Sequence, residues 1–116
     1  MAHPVMWFEV LGTDSGKLRQ FYTGLFGWSF SGDAKYGIVD TGEQRGIPGG
    51  VGAAFPGTRP WVTFYVETGD VAASLTQAER LGGKVVMPRT AMPDVTLGVF
   101  EDPEGHVIGL VERKAA

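Results

Sequence analysis

A chain of 116 residues with 10 Lys and Arg against 13 Asp and Glu carries a formal charge of −3 and no basic run, which excludes nucleic acid and anionic membranes as electrostatic partners. The length suits one compact domain, and 43% hydrophobic with 20% charged residues is ordinary for a soluble one. Zero cysteines exclude disulfides and thiol catalysis and agree with a cytoplasmic location, no apolar run approaches the roughly 20 residues of a membrane span, and the opening residues 1–7 lack the regions of a signal peptide.

The first strand is predicted over 5–11, where Phe8 and Val10 alternate with Trp7, Glu9 and Leu11. A helix follows over 14–26, N-capped by Asp14, striped by Leu18, Phe21, Tyr22 and Leu25 and closed by Gly27. Trp28 to Phe30 begins a strand running to the Ser31-Gly32-Asp33 turn, and 36–40 is a further short strand. Residues 46–55 read as a glycine-rich strand or bulged edge, and 56–60, with two prolines and a glycine, as a link. Beyond it the order repeats: strand 61–67, helix 70–81 with Asp70 as N-cap and Val71, Leu75, Ala78 and Leu81 as stripe, strands 84–87 and 95–101, the Asp102–Gly105 turn, and strand 106–112. Pro88 and Pro93 bracket a predicted loop, Arg89 to Met92, and residues 114–116 are expected to fray.

The two halves are copies of one plan. Thirteen positions separate Asp14 from Gly27 and Asp70 from Gly83, and seven separate Trp7 from Asp14 and Thr63 from Asp70. Each half is βαβββ, giving a single domain over 1–116 with module one at about 5–55, the link at 56–60 and module two at about 61–113. Phe21-Tyr-Thr-Gly-Leu-Phe-Gly-Trp28, Gly46-Ile-Pro-Gly-Gly-Val51, Val62-Thr-Phe-Tyr-Val66, Leu81-Gly-Gly-Lys84 and Asp102-Pro-Glu-Gly-His106, in that order, resemble motifs of the vicinal-oxygen-chelate superfamily, which covers glyoxalase I, bleomycin-resistance proteins and extradiol dioxygenases. The resemblance is nearest to its small glyoxalase-like proteins and runs from about residue 5 to 113. It implies an α+β fold in which the two modules form a curved mixed sheet around a cleft, with the helices on the outer face.

Metal-dependent members of that superfamily hold a divalent ion on four positions, which fall here on Trp7, on Gly49 or Gly50, on Thr63 (or Trp61) and on Gly109. Only the weak hydroxyl of Thr63 has any donor capacity, whereas a divalent cation wants imidazole, carboxylate or thiolate. No metal and no other cofactor is therefore expected; a runner-up metal set would draw on His3, Glu9, His106 or Glu112. Strand alternation instead puts Trp7, Glu9 and Leu11 with Trp61, Thr63, Tyr65 and Glu67 on the cleft floor, with Gly49, Gly50 and Gly109 leaving space between them and Arg89 and Met92 forming a lid. Glu9 is either a structural carboxylate, paired with a cation such as Arg45, Arg59 or Arg89, or a ligand anchor and general base. His3 reads as a mobile surface residue, His106 as a turn or surface residue, and Glu112 as solvated.

Three functions follow from this set. The first is metal-free binding of an apolar or aromatic small molecule. The second is a divergent glyoxalase-like enzyme, of isomerase, lyase or dioxygenase type, with Glu9 as acid and base. The third is a structural module whose own tryptophans occlude the cleft. A homodimer is expected, with the glycine-rich strand at an edge or interface.

Overall fold

Eight strands and two helices succeed one another in the order β1 (Val5–Gly12), α1 (Ser15–Phe26), β2 (Ser29–Gly32), β3 (Tyr36–Asp40), β4 (Gly49–Ala53), β5 (Trp61–Thr68), α2 (Val71–Arg80), β6 (Lys84–Ala91), β7 (Thr96–Glu101) and β8 (Val107–Glu112). The fold is α+β, each half βαβββ. The computed structural model describes residues 2–114, so Ala115 and Ala116 of the terminus expected to fray lie outside the described residues.

The chain divides into two compact units, one of Trp7–Val62 and one of the residues up to Met6 together with those from Thr63 on. In the first, the strands run β2-β3-β4-β1, with β1 and β4 parallel and the other pairs antiparallel. In the second they run β5-β8-β7-β6 on the same pattern, with β5 and β8 parallel. The duplication is thus a repeat of topology as well as of spacing.

Both helices start as the sequence predicts. The Asp14 carboxylate accepts the Lys17 N–H at 3.0 Å and that of Asp70 accepts the Ala73 N–H at 3.0 Å, each satisfying one donor that a helix N-terminus leaves open. The stops differ. Gly27 is left-handed at φ +72° and its N–H reaches Thr23 O, whereas α2 ends two residues sooner in the repeat, with Gly82 rather than Gly83 left-handed, at φ +100°.

Packing under the two helices is unequal. Val71 and Leu75 of α2 are buried together with Leu110 of β8, with Val66, Val85 and Phe100 packed around them, each buried side chain contributing about 1.5–3 kcal/mol. Helix α1 buries no residue fully: Leu18 and Tyr22 are half-buried, while Phe21 and Leu25 of the predicted stripe are 59% exposed. Ring stacking takes over at its C-terminal end, where Tyr22 lies 5.4 Å from Trp28 and 6.0 Å from Phe26, and Phe8 lies 5.7 Å from Trp28.

Two expectations are corrected here. The glycine-rich segment is no edge: β4 lies between β3 and β1 and is buried over Gly49–Gly52. Residues 89–91 are no loop either, because β6 continues through Pro88 to Ala91. It does so as the outer strand of its sheet with register shifts on both sides of Met87, the setting in which a strand tolerates a proline. Arg89 is held on that strand by Glu112, at 2.9 Å from Nη2 and 3.1 Å from Nε, and Met92 opens the short turn that its N–H closes on Val95 O.

Glu112, expected to be solvated, also accepts the Val71 N–H at the start of α2 at 3.0 Å. The Arg89 guanidinium first, and that backbone N–H second, pull its carboxyl from an ordinary 4.5 down to about 2. A depressed carboxyl contributes stability above its unfolded value and loses it as pH falls through the folded one. The Glu112 carboxyl resonance is therefore expected to titrate near 2 by NMR, and Arg89→Ala to return it toward the ordinary range. An unmoved midpoint in that variant would mean that the ion pair does not form in solution.

Candidate functional site

Alternation along β1 puts Trp7, Glu9 and Leu11 on one face, and burial singles out the middle one. Glu9 is 3% exposed and Leu11 2%. A carboxylate so enclosed must be hydrogen-bonded, and two aromatic residues of the same unit provide for it. The Tyr36 hydroxyl meets Glu9 Oε1 at 3.1 Å and the Trp61 indole N–H meets Oε2 at 2.8 Å. The Trp7 indole N–H in turn meets the Tyr36 hydroxyl at 2.9 Å.

The direction of this chain is fixed by chemistry. An indole N–H can only donate, so the Tyr36 oxygen accepts from Trp7 and spends its own hydrogen on Glu9. Both Glu9 oxygens are then acceptors, as suits the ionised carboxylate. Burial first, and the Glu9 charge next, raise the Tyr36 hydroxyl above its usual range, so it remains a donor throughout the physiological pH range. Phe55 packs against Trp61 at 5.8 Å, nearly edge-on. Of the cations expected to offset Glu9, Arg45 pairs with Glu43 and Arg89 with Glu112.

Tyr36 was not among the residues singled out by sequence. Its ring lies over Gly50: a Cβ on Gly50 would collide with the Tyr36 ring and hydroxyl, and one on Gly52 would meet Lys35 O and Tyr36. The available signal was the pair Gly50 and Gly52, two apart and therefore on one face of a strand, which calls for a large neighbour to cover them.

The expected role of the glycines is corrected by what covers them. They are seats for rings, not open space for a ligand: Gly49 lies under Phe8, Gly50 under Tyr36 and Gly109 under Tyr65. Glu9 is the register partner of Gly50, and Tyr65, 56 positions later, is the register partner of Gly109. In the second unit Tyr65 is buried, and the Thr63 hydroxyl donates to Val107 O at 2.5 Å. Of the residues predicted to line a site, Trp7, Glu9 and Trp61 thus meet in the first unit, with Leu11 on the same face of β1, while Thr63, Tyr65, Gly109, Arg89 and Met92 belong to the second. His3, expected to be mobile, places Nδ1 3.0 Å from Glu67 O, and His106 holds the Asp102 carboxylate at 2.9 Å across the turn.

The residues expected at the superfamily's four metal-holding positions offer no imidazole or carboxylate for an ion. Trp7 gives its N–H away, two positions are glycines covered by tyrosine rings, and the Thr63 hydroxyl is committed to the backbone. Among the described residues no three His, Asp or Glu side chains gather to hold an ion, and no helix is long and apolar enough to cross a membrane.

The sequence model of the glyoxalase-like domain matches residues 8–111. The chain belongs to the glyoxalase-like domain family. Among curated relatives of this glyoxalase-like domain, the anthracycline biosynthesis protein DauV of Streptomyces sp. (strain C5) is 34% identical over 122 residues, covering 85% of this chain and 43% of that protein. The glyoxylase-named protein CFP32 of Mycobacterium bovis is 28% identical over 113 residues, covering 90% of this chain and 43% of its own length. The domain therefore spans less than half the length of these relatives.

Solved structures share the fold. A glyoxalase/bleomycin resistance protein/dioxygenase superfamily member from Vibrio splendidus 12B01 superposes with a TM-score of 0.62 at 12% identity, over 96% of this chain and 98% of that one. Methylmalonyl-CoA epimerase from Mycobacterium tuberculosis gives 0.59 at 14% identity, over 96% and 88%.

Proposed function

We propose that this glyoxalase-like domain binds a small, largely aromatic molecule without a metal ion, on the face that carries Trp7, Glu9, Tyr36 and Trp61. The observation that carries the reading is the chain from Trp7 through Tyr36 to Glu9, closed from the other side by Trp61. It holds a carboxylate in one orientation among large rings. Indole and phenol faces offer area for stacking, and the buried carboxylate fixes the rings that present those faces. Rigid partners lose little entropy on binding, which favours affinity.

Binding is favoured over turnover because both Glu9 oxygens already accept hydrogen bonds. A general base must free a lone pair before taking a proton, and doing so here breaks a bond to Tyr36 or Trp61. The relative named for anthracycline biosynthesis supplies the first probe, an anthracycline, as a planar polycyclic aromatic.

Tryptophan emission tests the proposal. Trp28 packs against Phe8 and Tyr22, apart from the chain around Glu9, so Trp28→Phe leaves Trp7 and Trp61 as reporters. An anthracycline is expected to quench them saturably, before and after dialysis against chelator, and Glu9→Gln to weaken the affinity about tenfold, or about 1.4 kcal/mol. Loss of binding on chelation, with a stoichiometric divalent ion in the untreated protein, would refute metal independence. Unquenched emission across a panel of planar aromatics would refute the site.

A further inference from the structure

The second unit has an open pocket of about 360 Å³ between α2 and its sheet, a volume at the lower end of the 300–1,000 Å³ typical of small-molecule sites. Its origin is legible in the internal duplication. Helices α1 and α2 begin at Ser15 and Val71, 56 positions apart. At that offset the α1 residues Leu18, Phe21 and Tyr22 correspond to Ser74, Gln77 and Ala78 of α2. Two apolar side chains and a tyrosine have thus become two polar ones and a methyl, and all three line the pocket.

The strand beneath has changed in step. In the first unit Leu18 fills the place above Gly12, where a Cβ would come within 2.6 Å of Leu18 Cδ1. The equivalent pair in the second unit is Thr68 and Ser74, whose hydroxyls bond each other at 2.7 Å. Where Tyr22 stacks on Trp28, Ala78 offers only a methyl, and Val66, Phe100 and Leu110, which also pack with Val71 and Leu75, form the floor. Leu81, the next residue of the stripe, stands 69% exposed at the margin and does not close the gap.

Polar groups mark two sides of this floor. Ser74 and Gln77 stand on the helix side, the latter offering an amide that both donates and accepts. At the other side are His3 and Asp102. The His3 Nδ1 bonds a carbonyl, Glu67 O, and so carries a hydrogen; in the neutral ring Nε2 is then an acceptor. Asp102, whose carboxylate already accepts from the Glu104 and His106 N–H groups and meets the His106 ring, adds a charge that repels anions. We propose that this cavity is a second small-molecule site of the domain, for an uncharged molecule with a flat apolar body and one O–H or N–H donor, such as a phenol.

The test is an NMR titration of the full chain with 2-naphthol, 2-naphthoate and naphthalene. 2-Naphthol is expected to shift the backbone amides of Ser74, Gln77, Ala78 and Phe100 saturably, with the other two at least tenfold weaker. Ala78→Tyr, which restores the side chain of the first unit, is expected to abolish those shifts, and Ser74→Leu provides a second filled variant should Ala78→Tyr not fold. Absent shifts, shifts that persist in the filled variants, or equal affinity for 2-naphthoate would overturn the proposal. Shifts at Trp7, Glu9 and Trp61 alone would assign the ligand to the first unit instead and overturn it equally.

Discussion

Glu9→Gln is expected to destabilise the protein by about 1–3 kcal/mol and Glu9→Ala by about 3 kcal/mol or more, large losses against the roughly 5–15 kcal/mol that keeps a domain of this size folded. Gln has nearly the shape of Glu, so volume is not the cause. Its amide keeps one oxygen, which can accept from Trp61 or from Tyr36 but not from both in the observed geometry. The NH₂ then faces a donor where an acceptor stood, and the site is too buried, at 3% exposure, for water to repair it. Ala abandons both donors and adds a cavity. Tyr36→Phe removes one donor to Glu9 and leaves the Trp7 N–H without its acceptor, so it is expected to be costly and non-additive with Glu9→Gln. Urea unfolding followed by tryptophan emission measures all three. A Glu9→Gln protein within about 0.5 kcal/mol of the parent would show that the hydrogen-bonded chain is not maintained in solution.

Carboxylates at Gly50 and Gly109, two of the positions expected to match the superfamily's metal ligands, are expected to unfold the domain rather than confer metal binding. Gly50 and Gly109 have no room for a Cβ while Tyr36 and Tyr65 occupy their present places. Even Gly50→Ala or Gly109→Ala is expected to cost about 1–3 kcal/mol through overpacking, and glutamate at either position more. Melting temperatures should fall by about 4 °C or more for each kcal/mol, with no stoichiometric zinc retained after purification. Shortening the ring in the same chain, as in Gly50→Glu with Tyr36→Ala, should recover part of the loss, because neighbouring changes couple. A stable Gly50→Glu protein that binds zinc would show that the rings yield easily and that the seats are incidental.

These two expectations concern residues read very differently from sequence. Glu9 stood out because a charge between apolar neighbours on a strand breaks the pattern and demands a partner. Cations were the natural candidates, and the aromatic donors described here come from β3 and from the start of β5. Tyr36 was missed because a tyrosine opening a short strand is unexceptional in sequence. It matters only because β3 lies beside β4, which lets its ring reach Gly50. The glycines were misread for the same reason: sequence records that a side chain is missing but not what fills the place. Proline usually ends a strand, so the sequence places Arg89 in a loop, whereas β6 is the outer strand that makes the exception.

By itself the sequence determined the two-fold repeat of βαβββ, both helix starts and nearly every strand, since these rest on local periodicity and capping that neighbouring residues enforce. Only tertiary structure decided that Tyr36 and Trp61 hold Glu9, that rings occupy the glycine seats, and that α2 stands over a cavity where α1 has Leu18, Phe21 and Tyr22. Each of these depends on side chains far apart in the chain meeting across strands, and neither periodicity nor spacing encodes which partner fills a given gap.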